Sequence, residues 1–294
     1  MGAAPVGCGP FLYVSRGTRL TQPSIDTVRN ALIATPGQRF MLADRPTRHP
    51  ELFEDKKEAR TSLEEDAAAI DELQDKLYAD RTRALLVILQ GMDCAGKSGT
   101  IRSVFARTSP LGMQVTAFKA PTAQELARDF LWRVHAAAPP RGFIGIHDRS
   151  HYEDVLVVKV RDLAPADVIR ARYEQINAFE KLLQDTGTKV LKFMLNLGHE
   201  KQGERLRERL EEPHKRWKFN PADLEDRTRW DDFMAAYETA VRRCSTTHAP
   251  WYIVPSDSRS RRKAMVARIV RGALEDMQLD WPDPGHRPGD FDFD

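Results

Sequence analysis

The chain has 294 residues, 45 Lys and Arg against 43 Asp and Glu, and a net charge of +2. That balance supplies no global field of the kind that marks a nucleic-acid or membrane-surface protein, so any anion site has to be local. Three widely spaced cysteines, Cys8, Cys94 and Cys244, fit neither a disulfide framework nor a zinc cluster, and no apolar run reaches the ~20 residues of a bilayer span. A protein of the reducing cytoplasm, without membrane or nucleic-acid partners, is the expectation.

Residues 1–52 are rich in Pro, Gly and Thr, with one short helix predicted near 25–33. They read as a peripheral N-terminal extension, its first residues a flexible or interacting arm. From Phe53 to Arg81, Leu63, Ala67, Ile70, Leu73 and Leu77 recur at spacings of three and four, which makes one apolar stripe on a long helix. Fewer than four heptads make packing on the main domain the default over a coiled-coil dimer. Ala84–Leu89 is then a buried strand, and Gly91, Gly96, Lys97 and Ser98 complete the pattern G-x-x-x-x-G-K-[ST]. Ile101, Val104 and Phe105 give the following helix its apolar side. Gly91, Gly96, Ser98 and Gly99 therefore read as a backbone cradle for phosphate at a helix N-terminus, with Lys97 adding a mobile charge. Cys94 lies inside this loop, where helix-terminus charge could lower its pKa; a small neutral side chain is the safer reading, and oxidation or alkylation there is expected to block activity.

Beyond the loop, 114–119 reads as a strand, and Thr122 with Glu125 as a capping box opening a helix that carries Leu126, Phe130, Leu131 and Val134. Residues 143–147 form the next strand, 165–184 a helix, 189–197 a strand, and 251–254 the last strand before a basic closing helix. The fold class is α/β: five strands separated by helices imply a parallel sheet between helical layers, with ligands at the carboxyl ends of the strands. The motifs fall at those ends. Asp148 follows a buried strand as the candidate Walker B carboxylate beside Arg149. Asp93, Asp148 and Ser98 offer the hard oxygen atoms that Mg²⁺ prefers in phosphoryl transfer. The competing reading of Asp148 and Arg149 is a helix cap paired with a surface base. His147 reads as a structural histidine at a strand end.

The segment from His199 to Lys218 is dense in bases, with Arg205 and Arg209 one helical turn apart, Pro213 as a break, and Lys215 and Lys218 beyond it. It reads as a basic lid over a phosphoryl group, against the alternative of a solvated charged face. Lys119, Asp129, Arg133 and Glu153 are candidates to border an acceptor pocket that binds a nucleotide. Trp132 and Trp230 are expected in the core.

The strings LLVILQGMDCAGKSGTI, FLWRVH, IGIHDRSHYEDVLVVKV, RLRERLEEPHKRWKF and APWYIVPSD, preceded by LQDKLYA, resemble the second family of polyphosphate kinases over about residues 50–275. The resemblance implies a P-loop kinase fold similar to thymidylate kinase, in residues 53–278, with a helical lid at about 199–225 and a tail at 279–294. It implies Mg²⁺-dependent, reversible phosphoryl transfer between inorganic polyphosphate and nucleoside mono- or diphosphates, adenine first with guanine as the alternative. A homo-oligomer is implied as well. Carried over by motif, Asp93, Gly96 and Lys97 belong to the phosphate loop, Asp148 and Arg149 to the second motif, and Arg205, Arg209, Lys215 and Lys218 to the lid. The catalytic set is then Asp93, Lys97, Asp148 and Arg149. The string YEDVLV resembles the subset that accepts AMP as well as ADP, with Glu153 near the acceptor. Two positions depart from the pattern: Ser98 stands where many relatives carry Asp, and His147-Asp148 where AMP-accepting relatives often have Phe-Asn. The rival expectations are an ATP-dependent nucleotide kinase of the same fold and a nucleotide-binding switch, although no Asn-Lys-x-Asp string is present.

Overall fold

A strand that is apolar at every position has to be buried on both faces, and so has to be central. In the computed structural model, which describes residues 22–287 and 289–292, that holds for Ala84–Gln90. Cys8 and the expected N-terminal arm lie outside the described residues. In chain order the regular elements are α1 (Ile25–Leu32), β1 (Ile33–Ala34), α2 (Lys56–Asp80), β2 (Ala84–Gln90), α3 (Lys97–Val104), β3 (Met113–Ala117), α4 (Ala123–Leu126), α5 (Trp132–Ala136), β4 (Ile144–Asp148), α6 (Val157–Val160), α7 (Ala166–Asp185), β5 (Thr188–Asn196), α8 (His199–Glu211), α9 (Ala222–Thr228), α10 (Trp230–Cys244), β6 (Trp251–Pro255) and α11 (Arg259–Glu275).

The sheet order is β1-β6-β5-β2-β4-β3, and β2 to β6 run parallel. The five strands expected are present, and a sixth, β1, pairs antiparallel with β6. A two-residue strand carries no periodicity to read, which is why the sequence hides it. It belongs to a segment whose Val28, Leu32, Ala34, Phe40 and Leu42 are buried in the core.

Alternate residues of β2 feed two cores. Leu85, Val87 and Leu89 face the layer that holds α1, α2, α3 and α11, while Leu86 and Ile88 face the layer of α7 and α10. The stripe on α2 packs against α11 of the same chain, with Ala67, Ile70 and Leu77 buried. Asp66 adds ion pairs to Arg268 at 2.8 Å and Arg271 at 3.2 Å.

The helix after Thr122 is shorter than expected. Its capping box forms, with Thr122 Oγ1 accepting from Glu125 N–H at 3.2 Å and Glu125 from Thr122 N–H at 2.7 Å. Asp129 then accepts from Leu131 N–H at 3.0 Å, a local bond that competes with helix propagation, and the helix resumes only at Trp132. Trp132 is not in the core: it is 39% exposed, with the Arg128 guanidinium 4.2 Å above its ring. Trp230 is partly buried against the α7–α10 core.

Lys192, in the middle of β5, is fully buried. Its ammonium donates to Glu180, to Tyr152 Oη at 2.9 Å and to the Cys244 carbonyl at 2.6 Å. Tyr152 and His151 both bond to Glu180, so this ion pair anchors the 3₁₀ turn His151–Asp154 that follows β4. Charge is tolerated there because every partner is supplied from inside the protein. No helix among the described residues is long and apolar enough to cross a membrane.

Candidate active site

Parallel strands bring β2, β3 and β4 to one edge in register, with Leu89 and Ala117 both opposite Asp148. The loop after β2 turns back on itself through Gly91 (φ +147°), Cys94 (φ +66°) and Gly96 (φ +102°). A Cβ on Gly91 would meet the Leu195 carbonyl at 2.8 Å, and one on Gly96 would meet the Arg262 guanidinium at 2.5 Å. Both positions therefore require glycine, for conformation and for space. Lys97 opens α3 and folds back so that Nζ donates to the Gly91 carbonyl at 2.8 Å. Burial, and next Arg149, hold its pKa below the usual lysine value.

The loop is braced from below by two buried arginines. Arg205, on α8, donates to the Cys94 carbonyl at 2.8 Å and to the Ser256 and Asp257 carbonyls at 2.7 and 3.0 Å. Arg262, on α11, donates to the Ala95 carbonyl at 2.8 Å and to Thr100 Oγ1 at 3.0 Å. Burial and the neighbouring Arg205 pull the pKa of Arg262 down to about 9.

Across the loop, Arg149 adopts a left-handed backbone (φ +66°), which aims its guanidinium between two carboxylates. It donates to Asp93 at 2.5 Å and to Glu153 at 3.5 Å, and Gln90 holds Glu153 from the other side at 3.1 Å. Burial opposes the charge of Arg149, yet Glu153 and Asp93 together raise its pKa. Burial would raise Asp93, but Lys97 and then Arg149 hold it below the usual carboxylate value. Ser98 Oγ donates to Asp148 at 3.0 Å.

These groups floor a cavity of 790 Å³ bounded by Arg209, Lys215, Trp217 and Lys218 of the segment expected to be a lid and by Lys119, Arg149 and Arg259. Eleven Lys or Arg line it against three carboxylates. All the residues expected in the loop and lid, except Gly91 just beneath, border this one space, together with Asp148, Arg149 and Lys119. Glu153 is joined to it through Arg149. Arg133 reaches the Lys119 carbonyl at 2.9 Å and faces Asp154 at 3.8 Å. Asp129 is not brought there; it borders a separate hollow with Trp132 and His135. His147 is buried, 3.1 Å from the Ala137 carbonyl, and burial pushes its pKa down to about 4, so it stays neutral.

Residues 53–282 match the family model described as polyphosphate kinase 2. The chain belongs to the polyphosphate kinase 2 family. It is 48% identical over 215 residues to an AMP/ADP-polyphosphate phosphotransferase of Meiothermus ruber, covering 73% of this chain and 80% of that one. It is 37% identical over 259 residues to an ADP-polyphosphate phosphotransferase of Rhodopseudomonas palustris, covering 84% and 90%. A crystal structure of polyphosphate kinase 2 from Arthrobacter aurescens TC1 superposes with a TM-score of 0.85 at 39% identity, over 92% of this chain and 94% of that one.

Within this polyphosphate kinase 2 site, three features go beyond the motifs. Arg262, Arg259 and Lys263 reach the cavity from the start of α11, and the string SRSRRK immediately after the last strand is the signal that could have found them. Cys94 is buried, and burial pushes its thiol pKa up to about 11. This agrees with the reading of Cys94 as a small neutral side chain and not with the alternative of a lowered pKa, because removal from water outweighs the cationic neighbours.

The third feature is Asp223 on α9, which holds Arg209 at 2.8 Å. Burial and then the nearby Asp93 raise its carboxyl to about 6, against the pull of Arg209. A raised acid binds its proton more tightly in the folded lid, so the lid stability tied to it is full below the unfolded pKa and is lost as pH rises towards 6. Below about pH 6 the neutral carboxyl releases Arg209 towards an anion. The KM for a polyanionic substrate is expected to fall as pH drops through about 6, and Asp223→Asn is expected to flatten that step. Matched KM–pH profiles of the two proteins check this, with superimposable slopes as the contrary result.

Proposed function

We propose that the protein transfers phosphoryl groups between inorganic polyphosphate and AMP or ADP, and that the 790 Å³ cavity between loop and lid is the seat of the reaction. The observation that carries this reading is the lining. Eleven bases against three carboxylates suit a run of linked phosphates meeting the phosphate of an acceptor nucleotide. The names borne by the Meiothermus and Rhodopseudomonas relatives support AMP and ADP as acceptors.

In this reading the terminal phosphoryl group lies on the loop N–H groups under Lys97. An oxygen of the acceptor phosphate attacks in line, the bond to the leaving polymer oxygen breaks, and the leaving charge falls to Lys97 and the lid bases. Arg149 bridges donor and acceptor sides while neutralising Asp93 and Glu153. Arg209, Lys215 and Lys218 close over the polymer and exclude water, the competing acceptor. Ser98 Oγ and Asp148 are adjacent hard oxygens, and one carboxylate plus substrate phosphates is a donor set that suits Mg²⁺. Bound there, Mg²⁺ would neutralise charge on the phosphate oxygens. Asp93 is engaged by Arg149 and takes a positioning role in this scheme.

Polyphosphate as sole phosphoryl donor, tested with AMP, ADP and their guanine counterparts in the presence of Mg²⁺, is expected to give the next higher adenine nucleotide. Turnover with ATP as donor to AMP and none with polyphosphate would establish the rival nucleotide kinase instead.

A further inference from the structure

A trans peptide points its carbonyl and its N–H in opposite directions, so whatever holds a loop carbonyl also decides which way the next N–H faces. Every carbonyl from Gly91 to Gly96 is held from inside the protein. Lys97 takes that of Gly91, Ala95 N–H donates to that of Met92 at 3.0 Å, and Thr100 Oγ1 donates to that of Gly96 at 2.9 Å. Arg205 and Arg262 take those of Cys94 and Ala95. The Asp93 carbonyl belongs to Gln202, a fully buried side chain near the start of α8, whose Nε2 donates to it at 3.2 Å. The N–H groups of Cys94, Gly96 and Lys97 have no hydrogen-bond partner among the described residues, and all three residues line the 790 Å³ cavity.

The peptide between Asp93 and Cys94 has a reason to turn. Cys94 holds φ +66°, a left-handed conformation that is unfavourable for a residue with a Cβ, whereas Gly96 bears its φ of +102° freely. Rotating that peptide by half a turn would return Cys94 to negative φ and swing its N–H away from the anion. The bond from Gln202 opposes the rotation. The Gln202 amide is itself oriented by Arg227 on α9, which can only donate and does so to Oε1 at 2.9 Å, leaving Nε2 for Asp93.

Resting on the proposed function, we propose that Gln202 is a positioning residue: it holds the Asp93–Cys94 peptide against its own backbone strain, so that the Cys94 N–H faces the terminal phosphoryl group of the donor. Gln202 acts through the Asp93 carbonyl and touches no substrate. Because α9 carries both Arg227 and Asp223, the partner of Arg209, one helix orients a loop peptide and a base of the cavity together.

The test is a double-substitution cycle between Gln202→Met and Cys94→Gly. It is read by calorimetric binding of inorganic tripolyphosphate to the full chain without nucleotide, and by kcat with polyphosphate. Gln202→Met removes the amide donor and adds no charge. It is expected to weaken tripolyphosphate binding and to lower kcat about tenfold each, the order of one hydrogen bond left unmade. Glycine at position 94 takes φ +66° without strain, so in the Cys94→Gly background the same substitution should lower both by less than about threefold. A side chain that merely fills space under the loop would give the same factor in both backgrounds. That additive result would overturn the proposal, as would wild-type binding and kcat in Gln202→Met. Arg227→Met supplies a second route should Gln202→Met fail to fold: about a threefold loss of binding is expected, and none in the Cys94→Gly background, with equal losses in both as the contrary result. A wild-type protein inert with polyphosphate would sink the proposed function, while the binding cycle would still decide the role of Gln202.

Discussion

Lys97→Ala is expected to lower kcat with polyphosphate by about 10³-fold or more, while the thermal midpoint stays within a few degrees of wild type. The two halves of this expectation come from one observation. The ammonium is buried and bonded to the Gly91 carbonyl, and burial depresses its pKa. The folded protein therefore spends stability to hold a cation there, and removing it relieves a desolvation cost while losing one hydrogen bond. Function has no such compensation. Loss of a single preorganised donor aimed at developing charge costs roughly 10²–10³ in kcat, and Lys97 also supplies a full charge to the leaving oxygen. Lys97→Arg should rescue little, because the fork of a guanidinium cannot fit the point contact with Gly91 inside a loop already closed against Leu195 and Arg262. Steady-state turnover and a thermal melt on the same preparations decide the matter; a variant retaining a tenth of wild-type kcat would remove Lys97 from the chemistry.

The loop is the part of the site most legible in the sequence, since G-x-x-x-x-G-K-[ST] is a contiguous string whose strand and helix neighbours are equally contiguous. The central sheet was legible for the same reason: β2 is apolar from Ala84 to Leu89 and β5 is mostly apolar around Lys192, each flanked by helical periodicity. What sequence spacing could not give is which distant segments share a wall. Arg205 was legible as a lid base facing phosphate, but its guanidinium turns beneath the loop to the carbonyls of Cys94 and Ser256. Arg262 lines the cavity from α11, where only the basic string SRSRRK hints at it, and Asp223 on α9 reaches the site through its ion pair with Arg209, which no spacing in the sequence singles out. Asp129 failed in the opposite way. It is near the motif in sequence, and the early end of α4 turns it to another hollow.

Arg149→Met is expected to lower kcat by roughly 10²–10³-fold, with a larger loss in kcat/KM for the nucleotide than for polyphosphate. Among the described residues Arg149 is the one cation bonded to both Asp93 and Glu153. Without it two carboxylates face an incoming phosphate, and repulsion joins the loss of a donor. Methionine keeps the length of the stem and adds no backbone strain beyond that already borne at φ +66°. Arg149→Lys should fall between, because one ammonium cannot span a 2.5 Å contact to Asp93 and a 3.5 Å contact to Glu153 together. The pH dependence carries a sign. Asp93 has a depressed pKa in the folded protein, so its contribution to stability is present above its unfolded pKa and lost as pH falls through the folded value. Removing Arg149 leaves Lys97 as the main partner, shrinks the depression, and shifts acid unfolding to higher pH. Adding Asp93→Asn to Arg149→Met should then cost far less than Asp93→Asn costs alone, since both act on the same charge pair. Strict additivity of the two substitutions in kcat/KM would separate Arg149 from Asp93 and leave the arginine as a phosphate ligand acting by itself.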